Sequence, residues 1–77
     1  MAISNVSVYL FDDPLHLWGN LLGTADVVLS DGRELNGLFI VRGAEHPFVC
    51  NYPPNIALTD LLKQSIETAV LKAARDN

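Results

Sequence analysis

At 77 residues with one cysteine, Cys50, the chain has room for a single domain and cannot close an intrachain disulfide. A core of this size contributes only ~3–5 kcal/mol, and with Cys50, His16 and His46 a four-ligand structural zinc site is hard to assemble. A net charge of −4 argues against strong nonspecific attraction to phosphate backbones, and no run approaches the ~18 apolar residues of a membrane helix. Yet 49% of the residues are hydrophobic and only 18% charged, below the ~25% usual for soluble domains. That excess of apolar side chains points to a partner subunit as the source of extra stability.

In chain order, Met1-Ala2-Ile3-Ser4-Asn5 has no basic region and no long apolar run, so it reads as neither a signal nor a transit peptide. A cytoplasmic location is expected, and a lone reduced cysteine agrees with it. From Ile3 to Phe11, Val6, Val8 and Leu10 alternate with Asn5, Ser7 and Tyr9, the period of a half-buried strand. Asp12-Asp13-Pro14 ends it. Leu15, Leu17 and Trp18 then form an unusually apolar connection, which either folds back as a lid over one end of the core or exposes Trp18 as an anchor for a partner.

Two strands, 21–29 and 33–41, follow around Ser30-Asp31-Gly32, a strong hairpin signal. A two-residue turn pairs Val27 with Asn36 and Leu29 with Glu34, mixing polar and apolar residues on both faces. A three-residue turn with Gly32 left-handed pairs Leu29 with Arg33, Val27 with Leu35, Ala25 with Gly37 and Gly23 with Phe39, and it gathers the apolar weight on one side. The second register is the one expected. It leaves Leu22, Val28, Leu38 and Ile40 on the opposite face, beside Thr24, Asp26, Asn36 and Glu34.

After a short turn at Arg42-Gly43-Ala44-Glu45, a fourth strand is expected at 47–51. Tyr52-Pro53-Pro54-Asn55 breaks the pattern and presents Asn55 as an N-cap for a helix over 56–75. Its apolar stripe is Leu58, Leu61, Leu62, Ser65, Ile66, Ala69, Val70 and Ala73, opposed by Asp60, Lys63, Gln64, Glu67, Thr68, Lys72 and Arg75. Four strands and one helix predict an α+β domain, a four-stranded antiparallel sheet with the helix on one face. One helix covers one face only, so the other calls for self-association, by face packing or by edge pairing.

No motif assigns chemistry. His16 and His46 lack any metal-ligand spacing, Asp12 and Asp13 read as turn formers before Pro14, and Cys50 reads as a small buried hydrophobe. His46, at a turn before Pro47, is placed for a ring-to-carbonyl hydrogen bond. No phosphate-binding or nucleophile-elbow fingerprint occurs, so no catalytic residue, metal or cofactor is expected. Among the cations, Lys63, Lys72 and Arg75 balance the acids after residue 50, and Arg33 and Arg42 are set a strand length apart; a dimer would bring helix cations from two chains together.

Asn36-Gly37-Leu38-Phe39-Ile40, His46-Pro47, and Ile66 with Ala69-Val70-Leu71 occur in the order of motifs in the SpoVG-like family of small bacterial regulators, and Ile3-Ser4-Asn5-Val6 resembles its first strand. The resemblance implies a four-stranded antiparallel sheet with a carboxy-terminal helix, a homodimer, and a regulatory role that includes DNA or RNA binding. Onto the family's basic contact positions only Arg42, Lys63, Lys72 and Arg75 can be carried. The family's Met-Pro-Ser and its following basic residues are replaced by Arg42-Gly43, and its long loop before His-Pro is cut to Ala44-Glu45, so fold and dimerisation transfer better than nucleic-acid binding. The alternative is a protein-binding module using Trp18 and the uncovered face, with Leu22, Val28, Leu38 and Ile40 as its interface.

Overall fold

The computed structural model describes residues 3–76; Met1 and Ala2, part of the opening segment read above, lie outside them. The chain runs β1 (Ile3–Leu10), β2 (Leu21–Leu29), β3 (Glu34–Val41), β4 (Phe48–Cys50) and α1 (Asp60–Asp76). The strands form one antiparallel sheet in the order β1-β2-β3-β4, a meander, with α1 packed on one face. This is the expected α+β architecture. The strand ends fall within a residue or so of the expected ones.

The hairpin between β2 and β3 has the three-residue turn. Leu29 N–H donates to the Arg33 carbonyl at 2.8 Å, Gly32 N–H donates to the Leu29 carbonyl at 2.9 Å, and Gly32 takes a φ of +93°. Glycine pays no Cβ penalty at that angle. Asp31 adds a clamp, accepting from the Arg33 backbone N–H at 3.1 Å and from its Nε at 2.8 Å. The Arg33 backbone N–H and guanidinium hold the exposed Asp31 carboxyl below its ordinary pKa.

Beyond Val27–Leu35 the expected register fails. Ala25 pairs with Leu38 and Gly23 with Ile40, in place of Gly37 and Phe39, because Asn36 and Gly37 together oppose the single residue Asp26. This is a β-bulge. Gly37 takes a φ of +71°, its N–H donates to the Asp26 carboxylate at 2.9 Å, and its carbonyl accepts from the Asn51 side-chain amide at 2.9 Å. One extra residue flips every later side chain to the other face. Leu38 and Ile40 are therefore fully buried beneath the helix, and Phe39 points outward. The expectation that Leu38 and Ile40 belong to an uncovered interface is corrected on this ground.

The core is Ala25, Val27, Leu29, Leu35, Leu38, Ile40 and Val49 from the sheet with Ile66 and Val70 from the helix. Val6, Val8, Leu62, Leu71 and Ala74 pack around it, as does Leu22, which the sequence placed on the open face. The close approach of β1 to β2 is set by Gly23, where a Cβ would collide with the Tyr9 carbonyl oxygen.

The helix begins four residues later than expected. Pro53 to Asn55 form a turn, and the N-cap is Thr59, whose hydroxyl accepts from Leu62 N–H at 3.1 Å. Its buried stripe is also rotated. Leu61 is 76% exposed and Ser65 is exposed, whereas Glu67, expected in solvent, is half-buried and its carboxylate accepts the Val49 N–H at 3.1 Å. In this orientation the carboxylate supplies a partner for an N–H on β4 that no strand reaches.

Candidate functional site

The connection from β1 to β2 is an ordered loop built on Asp13. Both oxygens of its carboxylate are used, one accepting from Leu17 N–H at 2.7 Å and the other from Trp18 N–H at 2.9 Å. Tight turns complete it: His16 N–H donates to the Asp13 carbonyl, Gly19 N–H to the His16 carbonyl and Leu21 N–H to the Trp18 carbonyl. His16 and Gly19 take φ values of +54° and +65°. Asp13 is thus a turn former, with both carboxylate oxygens taken by backbone donors.

This frame holds its large side chains out. Leu15 is 77%, Leu17 81% and Trp18 62% exposed, so the lid reading is overturned. The turns use up the reach of the loop, and Trp18 makes its aromatic contact with Phe11 at 5.2 Å between ring centroids. Phe11 in turn meets Tyr9 edge-on at 5.8 Å.

That aromatic chain continues onto the sheet face that the helix leaves bare. Register places Tyr9, Thr24, Phe39 and Cys50 in one row across four strands, with Val41 and Phe48 paired beyond it. Toward the hairpin turn the same face is polar: Ser7 pairs with Asp26, and Asn5 and Glu34 flank Val28. The bulge makes this division, since it removes Leu38 and Ile40 from the face and adds Phe39. Of the residues expected at an interface, Trp18 is exposed, Val28 half-buried on the open face, Leu22 half-buried against the core, and Leu38 and Ile40 buried.

The cations expected at a nucleic-acid surface do not all gather in one place: Arg42, Lys63 and Lys72 lie apart, and only Lys72 and Arg75, three apart on the helix, are neighbours. Arg42 lies against the β1–β2 loop, where it lines a small recess of about 150 Å³ with Phe11, Asp13 and His16. Lys63 sits on the β4 side of the helix, its ammonium 5.5 Å from the centre of the Tyr52 ring. Lys72 is nine residues further on, half a helical rotation away, on the β1 side; Arg75 is in the last turn. Tyr52 hydroxyl donates to the Lys63 carbonyl at 3.4 Å, and burial, with the charges of Glu67 and Cys50 nearby, raises its pKa above the ordinary value.

His46 Nδ1–H donates to the Pro47 carbonyl at 2.9 Å, the contact its position suggested. Cys50 is a free, half-buried thiol, more open than a core position. Among the described residues no three His, Cys, Asp or Glu side chains come together as a metal-binding group, and no helix is long and apolar enough to cross a membrane. Compared with known proteins, the chain matches no family model and no curated protein.

Proposed function

We propose that this domain is a non-enzymatic protein-binding module, and that its docking surface is the β1–β2 loop together with the aromatic half of the open sheet face. The observation that carries the reading is the pairing of exposed apolar side chains with a backbone tied down by hydrogen bonds. Leu15, Leu17 and Trp18 are 77%, 81% and 62% exposed in a backbone pinned by both oxygens of Asp13. Covering one such side chain contributes ~1.5–3 kcal/mol, and a loop already held in shape spends little ordering entropy on binding. Tyr9, Phe39 and Phe48 extend the surface beside it. A regulatory role, which the SpoVG-like resemblance implies, is compatible with such a module.

The nucleic-acid reading needs Arg42, Lys63, Lys72 and Arg75 to converge, and the separate placements of Arg42, Lys63 and Lys72 favour protein binding over it. Affinity capture with wild-type and Trp18→Ala baits tests the proposal. Proteins retained by wild type are expected to be lost from the variant, whose fold is little affected because the side chain is exposed. An unchanged set overturns it. So does saturable, salt-sensitive binding of a fluorescent DNA or RNA oligomer in the tens of micromolar at low salt.

A further inference from the structure

A second surface lies open along the first strand, away from the loop. β1 is an edge strand with no Asp, Glu, Lys, Arg or Pro to keep another strand off, and its one irregularity is a bulge near Ile3. Phe11 N–H donates to the Leu22 carbonyl, so by the alternation of an antiparallel ladder Tyr9, Ser7 and Asn5 bond inward to β2. The N–H and C=O groups of Val6, Val8 and Leu10 therefore point away from the sheet.

On the helix side of β1 is an open groove of about 660 Å³, with Ile3 on the strand wall and Leu61, Ser65, Thr68 and Lys72 among the residues of the helix wall. Leu61 and Lys72 are eleven positions apart on α1, about 16 Å along its axis, a distance that about five residues of extended chain also cover. Leu61, 76% exposed, gives one end an apolar surface. Among the described residues that line the groove, Lys72 is the only charged one.

We propose that the β1 edge and this groove together take an extended peptide segment of another protein, added antiparallel to β1 as a fifth strand and carrying an acidic side chain for Lys72. Main-chain hydrogen bonds to Val6, Val8 and Leu10 hold the segment, and its alternate side chains read the groove. Register sets the alternation. Val6 and Val8 pair with Val27 and Ala25, which are buried beneath the helix, so peptide residues set opposite Val6, Val8 and Leu10 also project toward the helix. Those between them lie over the open face, beside Ser7 and Tyr9. Three groove-facing residues at every second position fill the five-residue length: two apolar ones, and an acidic one at the Lys72 end.

Charge selects this occupant. β1 has no carboxylate of its own, so a second copy pairing through the same strand brings Lys72 no counter-charge from that strand, and a basic segment meets repulsion. An exposed ion pair adds little affinity but sorts partners, so strand pairing supplies the hold and the acid supplies the preference. No residue of the β1–β2 loop lines the groove, and the inference stands independently of the loop reading.

The probe is a fluorescein-labelled, end-capped peptide, Thr-Val-Thr-Val-Thr-Glu-Thr, used also in the reversed order. Fluorescence anisotropy with the full chain at low salt is expected to show saturable binding of at least one order below about 1 mM. Exchanging its Glu for Lys weakens binding about fivefold or more, and Lys72→Glu in the protein reverses that preference. N-methylation of the two valines removes the N–H groups that face β1, keeps every side chain and abolishes binding. Leu61→Ala weakens it, and Trp18→Ala leaves it intact. Leu61 and Lys72 are exposed, so circular dichroism of their variants stays unchanged. No saturable binding of either order, equal binding of the Glu and Lys peptides, indifference to N-methylation, loss of binding in Trp18→Ala, or a dimer of the chain that leaves the peptide unbound would each overturn the proposal.

Discussion

The β4 and β1 edges of one small sheet are finished in opposite ways. β4 is three residues long, and its Val49 N–H is met by the Glu67 carboxylate from the helix. The chain then turns away at Asn51, with a φ of +68° and its side-chain amide bonded to the Gly37 carbonyl, and Tyr52 covers the helix flank. β1 is eight residues long and bordered by an open groove. One helix produces both outcomes: its Lys63 and Glu67 side serves β4, and its Leu61, Ser65, Thr68 and Lys72 side fronts β1. With one helix on the sheet, one edge is sealed by side chains and the other is left open.

The largest effect is expected at the strand between these edges. If the bulge at Asn36-Gly37 sets the register, Leu38→Ala costs about 2–5 kcal/mol in chemical denaturation. Phe39→Ala, one residue along on the open face, costs about 1 kcal/mol or less. Equal costs would remove the bulge from the account.

The edges themselves are probed next. Gly23→Ala drives a Cβ into the Tyr9 carbonyl and is expected to cost about 1–3 kcal/mol, with hydrogen-exchange protection lost first in β1 and kept in β4. Glu67→Ala is the converse. It leaves the Val49 N–H without its acceptor, costs about 1–2 kcal/mol and speeds exchange at Val49, while Glu67→Gln restores most of the protection because the amide oxygen still accepts. Protection lost equally at both edges in either variant would mean that they are not independent.

The smallest effect is a pH dependence at the sealed edge. The folded-state pKa of Tyr52 is raised, chiefly by burial, so the stabilisation linked to its proton is complete below the unfolded value near 10 and declines as pH rises through the higher folded value. Stability measured upward from pH 9 is expected to fall less steeply in Tyr52→Phe than in wild type. Identical slopes would place the alkaline sensitivity elsewhere.

Much of this was legible in the sequence where the signal is local. Ser30-Asp31-Gly32 specifies the bulged turn because Gly32 accepts a positive φ and Asp31 caps the backbone within two residues. Period-two and period-three-to-four patterns locate β1, β2, β3 and α1. Gly37 also carried a signal, a glycine after Asn36 within a strand, but it announces a bulge only when set against Asp26 across the ladder. The helix start was misplaced because Asn55 and Thr59 are both competent caps, and the turn at Pro53 decides between them. Of the candidate surface, Trp18 was visible as an apolar residue in a loop. Tyr9, Phe39 and Phe48 joined it only through register.

By itself the sequence determined the order of elements, the hairpin turn, the amphipathic helix and the absence of a covalent staple, since each rests on neighbours a few residues apart. Tertiary structure alone decided that Leu38 and Ile40 lie inside and Phe39 outside, that Glu67 seals β4, and that Leu15, Leu17 and Trp18 remain uncovered. The first two depend on a partner far along the chain, Asp26 for Gly37 and Val49 for Glu67, and the third on the Asp13 frame that holds the loop away from the core. A face or an edge belongs to a pairing of strands, and a single strand does not specify which of its sides will find cover.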